Sequence, residues 1–129
     1  MSVDLYYTFL GAPSRAVIMT AKMIGVELNL KMVDVMAGDQ LKPDFLKLNP
    51  LHQVPVLDDN GFLLTESRVI CTYLVQKYAS HDGLYPKSAR LRAAVDERLY
   101  FDLGIFYRTF AEYYVRRPGG VEWIICAAQ

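Results

Sequence analysis

Two short segments carry polar residues whose types and spacing suit a binding or catalytic site. The first, Glu66-Ser67-Arg68, follows a predicted β-hairpin and opens a predicted helix. Free N–H groups at a helix N-terminus bind anions, and the Ser67 hydroxyl would add a donor beside them. The Glu66 carboxylate could hold an ammonium group next to that anion. The segment could therefore bind the amino and carboxylate groups of one amino-acid moiety, or it could be a capping sequence led by Thr65.

The second segment is the turn Gly11-Ala12-Pro13-Ser14-Arg15, which joins a predicted strand to a predicted helix. Pro13 suits the first turn of a helix because its missing N–H needs no partner there. The positive end of the helix dipole can stabilise an anion such as a thiolate. The alternative is a plain connection between strand and helix.

The Val54-Pro55 bond is a third candidate because proline has no N–H to donate in a paired strand. A cis peptide would turn the N–H and C=O of Val54 outward, where an extended peptide ligand could pair with them. An ordinary trans proline at the start of a strand is the alternative, and it is far more frequent.

Hydrophobic periodicity predicts the elements that position these segments in the order β-α-β, then β-β-α. Predicted strands cover 5–9, 27–35, 54–57 and 62–64, and Asn60-Gly61 indicates a hairpin between the last two. Two helices are predicted to begin near Pro13 and at 65–68, and a short helix is predicted over 42–47. One long helix is predicted from about Ser88 to Pro118.

Composition excludes several classes of function. The 129 residues carry 14 basic and 14 acidic side chains, so the basic excess of a nucleic-acid binder is absent. The two cysteines, Cys71 and Cys126, and the two histidines, His52 and His81, form no metal-binding pattern. No apolar run is long enough to span a membrane. We expect a soluble, cytoplasmic protein without a metal.

The order of these motifs resembles the cytosolic glutathione transferases, specifically the insect delta class and the neighbouring epsilon class. The match extends from Val3 to Tyr114. The strings that carry it include Leu5-Tyr6-Tyr7, Ala12-Pro13-Ser14-Arg15-Ala16-Val17, Met36-Ala37-Gly38, Phe45-Leu46-Lys47-Leu48-Asn49-Pro50, Val54-Pro55, Glu66-Ser67-Arg68 and Arg98-Leu99-Tyr100-Phe101-Asp102. The resemblance implies an α/β thioredoxin-like (βαβ-ββα) domain over 1–83. The start of an all-α domain would follow over 88–129, with a divergent tail.

The resemblance also implies a glutathione site. Val54, before a cis Pro55, would pair with the cysteinyl backbone of glutathione. Glu66 and Ser67 would hold the γ-glutamyl end with Arg68 beside them, and His52 would reach the glycyl carboxylate. A hydrophobic pocket would be formed by Tyr107, Phe110 and Tyr114, for which core packing is the alternative. The implied reaction is attack of the glutathione thiolate on a hydrophobic electrophile, in a homodimer as in the family.

The chain departs from the family pattern at the catalytic position. The family serine, whose hydroxyl donates to the glutathione sulfur, falls on Gly11, and Ser14 is the possible substitute. The family histidine after the second strand is Gln40 here, and Thr65 stands in place of a tryptophan. Gly11 and the absence of the family's C-terminal helices favour, as the alternative function, a non-catalytic module of the same fold that binds glutathione or a partner chain. Thiol–disulfide exchange is excluded because no cysteine lies at the start of the first helix.

The chain also leaves the family pattern after Tyr114, which indicates a C-terminally truncated member. A member of the family continues through several more helices. We therefore expect apolar side chains to be exposed on the first domain and on the long helix.

Overall fold

The computed structural model describes residues 3–114. The strands are β1 (Val3–Tyr7), β2 (Leu28–Met32), β3 (Val56–Asp59) and β4 (Phe62–Leu64). The α-helices are α1 (Ala12–Met23), α2 (Pro43–Leu48), α3 (Ser67–Tyr78), α4 (Ala89–Phe101) and α5 (Tyr107–Tyr114). A 3-10 helix covers Asp39–Leu41, and a π-helical turn covers Asp102–Phe106. Within the described range no helix is long and apolar enough to cross a membrane.

The four strands form one mixed sheet in the order β2-β1-β3-β4. The central strand β1 pairs parallel with β2 and antiparallel with β3, and β4 pairs antiparallel with β3. The parallel pair needs the crossover that α1 supplies, whereas β3 and β4 need only the tight turn at Asn60-Gly61. The predicted βαβ-ββα order of a thioredoxin-like fold is confirmed.

The core is divided between the two faces of the sheet because successive strand side chains point in opposite directions. On one face, α1 and α3 pack on β1 and β3 through a buried cluster. Its members are Val3, Leu5, Val17, Ala21, Leu57, Ile70 and Leu74. On the other face, Phe45 of α2 joins a smaller cluster with Val33, Val54 and Val56. The second cluster holds the loop before β3, which carries Val54-Pro55, against the sheet.

Pairing within the sheet corrects three predicted strand boundaries. β1 covers Val3–Tyr7 rather than 5–9, because the chain turns at Thr8, whose C=O accepts the N–H of Gly11. β2 ends at Met32, the partner of the last β1 residue Tyr7, rather than at residue 35. β3 begins at Val56 rather than at residue 54, since Pro55 has no N–H for the ladder.

The predicted long helix is divided by the π-helical turn Asp102–Phe106. A π-helical turn adds a residue to one turn, and apolar spacing does not reveal it. Neither α4 nor α5 contains a buried residue. The expected exposure of apolar side chains is confirmed for several of them, namely Leu91, Tyr100, Phe101, Leu103, Ile105, Phe106, Phe110, Tyr113 and Tyr114. The predicted helix end at Pro118 and the divergent tail lie outside the described residues.

A buried carboxylate connects the end of β3 to α3 through hydrogen bonds. The Asp59 side chain is fully buried, and its Oδ2 accepts hydrogen bonds from Tyr73 Oη at 2.7 Å, Lys77 Nζ at 2.6 Å and Tyr78 Oη at 2.7 Å. Asn60 Nδ2 donates to Oδ1 at 2.8 Å. Burial opposes ionisation, but these donors outweigh it and hold the pKa of Asp59 well below its usual value. The network fixes the C-terminal half of α3, and with it the position of the whole helix.

Candidate functional site

The start of α3 has uncapped backbone donors, which suit an anion site. Glu66 is the N-cap residue, and no side chain caps the helix there, so the proposed cap at Thr65 is wrong. The first-turn N–H groups, which have no partner within the helix, remain available to a ligand. Glu66 has φ 68° and ψ 104°, a conformation that costs a non-glycine residue free energy and clusters at functional sites. Its exposed carboxylate makes no ion pair within residues 3–114.

Arg68 connects this helix start to the π-helical turn. Its Nε donates to Asp102 Oδ2 at 2.8 Å, and its Nη2 donates to the same oxygen. Its Nη1 donates to Ser67 Oγ at 3.1 Å, and its guanidinium lies 5.1 Å from the centre of the Tyr107 ring. Because Ser67 Oγ accepts from Arg68, the Ser67 O–H remains free to donate to a ligand.

A cavity of about 400 Å³ opens at the start of α3. Its lining comprises Pro13, Asn49, Gln53, Val54, Pro55, Thr65, Glu66, Ser67, Arg68, Leu103, Tyr107, Arg108, Ala111 and Glu112. The Val54-Pro55 bond is cis, as predicted. The structure therefore brings five of the predicted glutathione-site residues, from 54–55 and 66–68, to one cavity.

A second cavity, of about 390 Å³, adjoins the first and is more apolar. The two share Pro13, Ser67, Arg68 and Tyr107. The remaining lining of the second cavity is Ala12, Ala16, Cys71, Leu99, Asp102, Phe106 and Phe110. Of the three predicted pocket aromatics, Tyr107 and Phe110 line it. Tyr114 lines neither cavity, and its ring instead lies 5.0 Å from that of Phe110.

Tyr107 is the aromatic residue that both cavities share. Its hydroxyl is buried and has no hydrogen-bond partner within the described part of the chain. Burial raises the pKa of Tyr107, the nearby Arg68 guanidinium lowers it, and the Asp102 carboxylate raises it. The hydroxyl is therefore neutral at physiological pH and can donate to a polar group on a ligand.

Three further predicted site residues, Gly11, Ser14 and His52, line neither cavity. Ser14 is fully buried, its Oγ accepts the Thr8 N–H at 3.4 Å, and the structure does not bring this hydroxyl to either cavity. Gly11 is the N-cap residue of α1. His52 has φ 48° and lies on the turn before Gln53. Its contact with the glycyl carboxylate stays a prediction.

Several residues that line the cavities were not predicted, among them four polar side chains of the first cavity, Asn49, Gln53, Arg108 and Glu112. Asn49 organises the loop before β3, since its Nδ2 donates to Gln53 O at 2.9 Å and its Oδ1 accepts the Leu51 N–H. Asn49 and Gln53 lie close to Val54 in the sequence, and this could have indicated that they belong to the same cavity wall. Arg108 and Glu112, an ion pair 3.0 Å apart on α5, carried none, because their direction depends on the π-helical turn.

Gln40, which stands where the resemblance to the glutathione transferases implies a histidine, is buried in the 3-10 helix. Its Nε2 donates to Val35 O at 3.3 Å, and its Oε1 has no partner within residues 3–114. It lines neither cavity. Among the described side chains no group of three His, Cys, Asp or Glu residues could hold a metal ion.

The mixed sheet, the cis Val54-Pro55 bond and the uncapped start of α3 define a thioredoxin-like domain of the glutathione-transferase type. The chain belongs to the glutathione S-transferase family: residues 2–76 match its N-terminal domain, described as "Glutathione S-transferase, N-terminal domain". Glutathione S-transferase D7 of Anopheles gambiae is 55% identical over 114 residues, which are 88% of this chain and 52% of that protein.

Solved insect structures have the same fold. A delta-class glutathione transferase of Nilaparvata lugens superposes with a TM-score of 0.84 at 54% identity, over 87% of this chain and 53% of that one. The Bombyx mori glutathione transferase BmGSTD1 superposes with a TM-score of 0.85 at 46% identity, over 87% and 52% of the two chains. The predicted resemblance to the insect delta and epsilon classes is confirmed. The chain spans about half the length of these relatives.

Proposed function

We propose that this chain binds glutathione in the cavity at the start of α3 and transfers its thiolate to hydrophobic electrophiles. The observation that carries the proposal is the Glu66 carboxylate, which has no ion pair within residues 3–114, beside the uncapped start of α3 and the Ser67 O–H. An amino acid presents an ammonium and a carboxylate from one carbon atom. The γ-glutamyl end of glutathione has this pair of charges, which complements the two halves of the site.

The remaining cavity walls suit the rest of the tripeptide. The backbone of Val54, next to the cis Pro55, would pair with the cysteinyl residue, as extended ligands pair with strand edges. His52 would contact the glycyl carboxylate. Arg68 would act as a positioning residue, because its bond to Ser67 Oγ orients the hydroxyl and Asp102 balances its charge.

The adjoining apolar cavity would hold the electrophile. With an aryl halide, the glutathione sulfur forms a bond to the ring carbon and the halide leaves with the electron pair of the broken bond. The thiol proton passes to solvent when the thiolate forms. The two cavities share a wall at Pro13 and Tyr107, so both reactants could be held side by side, and such proximity lowers the entropic part of the barrier. We include cytoplasmic location, a homodimeric assembly and activity without a metal in the proposal.

A non-catalytic glutathione-binding module is the second candidate. The observation that favours it is the turn before α1, where Gly11 has no hydroxyl and the Ser14 hydroxyl is buried. The two candidates share the binding site and differ in turnover. Conjugation of glutathione to an activated aryl chloride, measured above the uncatalysed rate, supports the transferase, and binding without conjugation supports the module.

The role of Glu66 is tested with a ligand that lacks the amino group. We expect calorimetry to show that glutathione binds the wild-type chain about five- to tenfold more tightly than its desamino analogue, since the Glu66 carboxylate is solvent-screened. In Glu66→Gln this preference should fall to about twofold or less. An unchanged preference in Glu66→Gln would show that the ammonium group is bound elsewhere.

A further inference from the structure

Four aromatic side chains form an exposed aromatic face on α5 and at the end of the π-helical turn. They are Phe106, Phe110, Tyr113 and Tyr114, and spacings of three and four residues place them along one side of the helix. The ring centres of Phe110 and Tyr114 lie 5.0 Å apart, and those of Tyr113 and Tyr114 lie 4.7 Å apart. Each of the four residues is nevertheless between 41% and 61% exposed. The rings contact one another, and the rest of residues 3–114 leaves the aromatic face open to solvent.

The aromatic face is continuous with the apolar cavity beside it. Phe106 and Phe110 belong to the face and also line the second cavity. Exposed apolar residues are ordinary when they are scattered singly, whereas a contiguous patch on a soluble protein marks a contact surface. Whatever covers the aromatic face would therefore also form part of the outer wall of the second cavity.

The sequence that follows α5 contains a segment of matching apolar character. Residues 121–128 read Val-Glu-Trp-Ile-Ile-Cys-Ala-Ala, in which Glu122 is the one charged residue. Pro118-Gly119-Gly120 comes directly before them, and proline and glycine are typical of chain reversals. Eight residues reach between about 12 Å as a helix and about 26 Å when extended, and the eight residues of α5 are about 12 Å long. The segment is therefore long enough to return along α5 from Tyr114 to Phe106.

We propose that residues 121–128 dock on the aromatic face of their own chain. Only residues 115–120 separate them from the end of α5. A linker this short gives an effective concentration on the order of millimolar, well above the concentration of a second copy in a dilute sample. The chain's own segment is therefore favoured over a second copy as the occupant of the face. This inference does not require glutathione, so its failure would leave the proposed function standing.

The fluorescence of Trp123, the only tryptophan of the sequence, tests the docking of this segment. We expect the emission maximum of the full chain to lie at a shorter wavelength than that of a synthetic peptide of residues 115–129, and acrylamide to quench the full chain less. Phe106→Ser and Tyr114→Ser each remove an aromatic ring from the face. Each should shift the equilibrium between the docked and the free segment about tenfold or more toward the free one. In the chain that carries both changes, the emission and the quenching should move toward the values of the peptide.

Phe62→Ser is the matched control, because Phe62 is 50% exposed on β4 and lines neither cavity. It should leave the emission and the quenching of Trp123 as in the wild type, and far-ultraviolet circular dichroism checks that each variant is folded. A wild-type chain that is quenched like the peptide would overturn the inference. So would protection of Trp123 that persists in the doubly changed chain, because the segment would then pack elsewhere. Protection that increases with protein concentration would also overturn it, since a second copy would then be the partner of the segment.

Discussion

Asp59→Asn is expected to lower the free energy of unfolding by about 2–4 kcal/mol, because the exchange breaks a buried ionic network. The Asp59 side chain has no solvent-exposed surface, and three donors from α3 converge on one of its oxygens. An amide lacks the charge that holds Lys77 and presents N–H groups toward other donors. Urea unfolding of the two chains, followed by far-ultraviolet circular dichroism, measures the difference.

Asp44→Asn is the matched control because Asp44 is also paired with a lysine. Asp44 Oδ1 lies 2.9 Å from Lys47 Nζ, but the side chains are 94% and 76% exposed. Such surface pairs contribute little, so Asp44→Asn should change the free energy of unfolding by less than about 0.5 kcal/mol. If Asp59→Asn lowered the free energy of unfolding as little as Asp44→Asn, the network at the end of β3 would not stabilise the fold.

The effect of Asp59 should also depend on pH in a defined direction. The folded state holds the pKa of Asp59 below its unfolded value of about 3.9. The stabilisation is therefore complete above the unfolded pKa and is lost as the pH falls toward the folded pKa. The difference between wild type and Asp59→Asn should be constant between about pH 5 and pH 7 and shrink below about pH 4.

Ser67→Ala is expected to weaken glutathione binding by about 10- to 100-fold, the cost of losing one hydrogen bond to a charged group. The Ser67 hydroxyl lies at the uncapped start of α3 and accepts from Arg68, which leaves its own hydrogen for the ligand carboxylate. Calorimetric titration with glutathione measures the two affinities. Ser80→Ala, an exposed position outside both cavities, is the control and should bind like wild type. Equal affinities for wild type and Ser67→Ala would remove Ser67 from the site.

Much of the proposed site could be predicted from the sequence, because its residues lie in short continuous segments of the chain. The resemblance to the glutathione transferases implied the cis bond at Val54-Pro55, which proline at a strand start had left open. The hairpin before Glu66 predicted the start of α3. Long-range packing was less accessible. Asp59 has the sequence context of a turn residue, and its partners on α3 lie 14, 18 and 19 residues further along the chain.

Burial was the other property that the sequence did not reveal. Ser14 has the sequence position of a group that could reach a ligand, but the approach of the Thr8 backbone to α1 buries its hydroxyl. Apolar spacing correctly predicted that α5 is helical. The π-helical turn before it decides which of its side chains, such as Arg108, line the cavity at the start of α3.

The location of the ligand is the central claim, and a titration of the ¹⁵N-labelled chain with glutathione, followed by amide chemical shifts, tests it most directly. The predicted result is saturable shifts that are largest at Val54, Glu66, Ser67 and Arg68, which line the cavity at the start of α3. The amides of Asp44 and Ser80, which line neither cavity, should be unaffected. An absence of saturable shifts, or shifts centred away from the start of α3, would contradict the account.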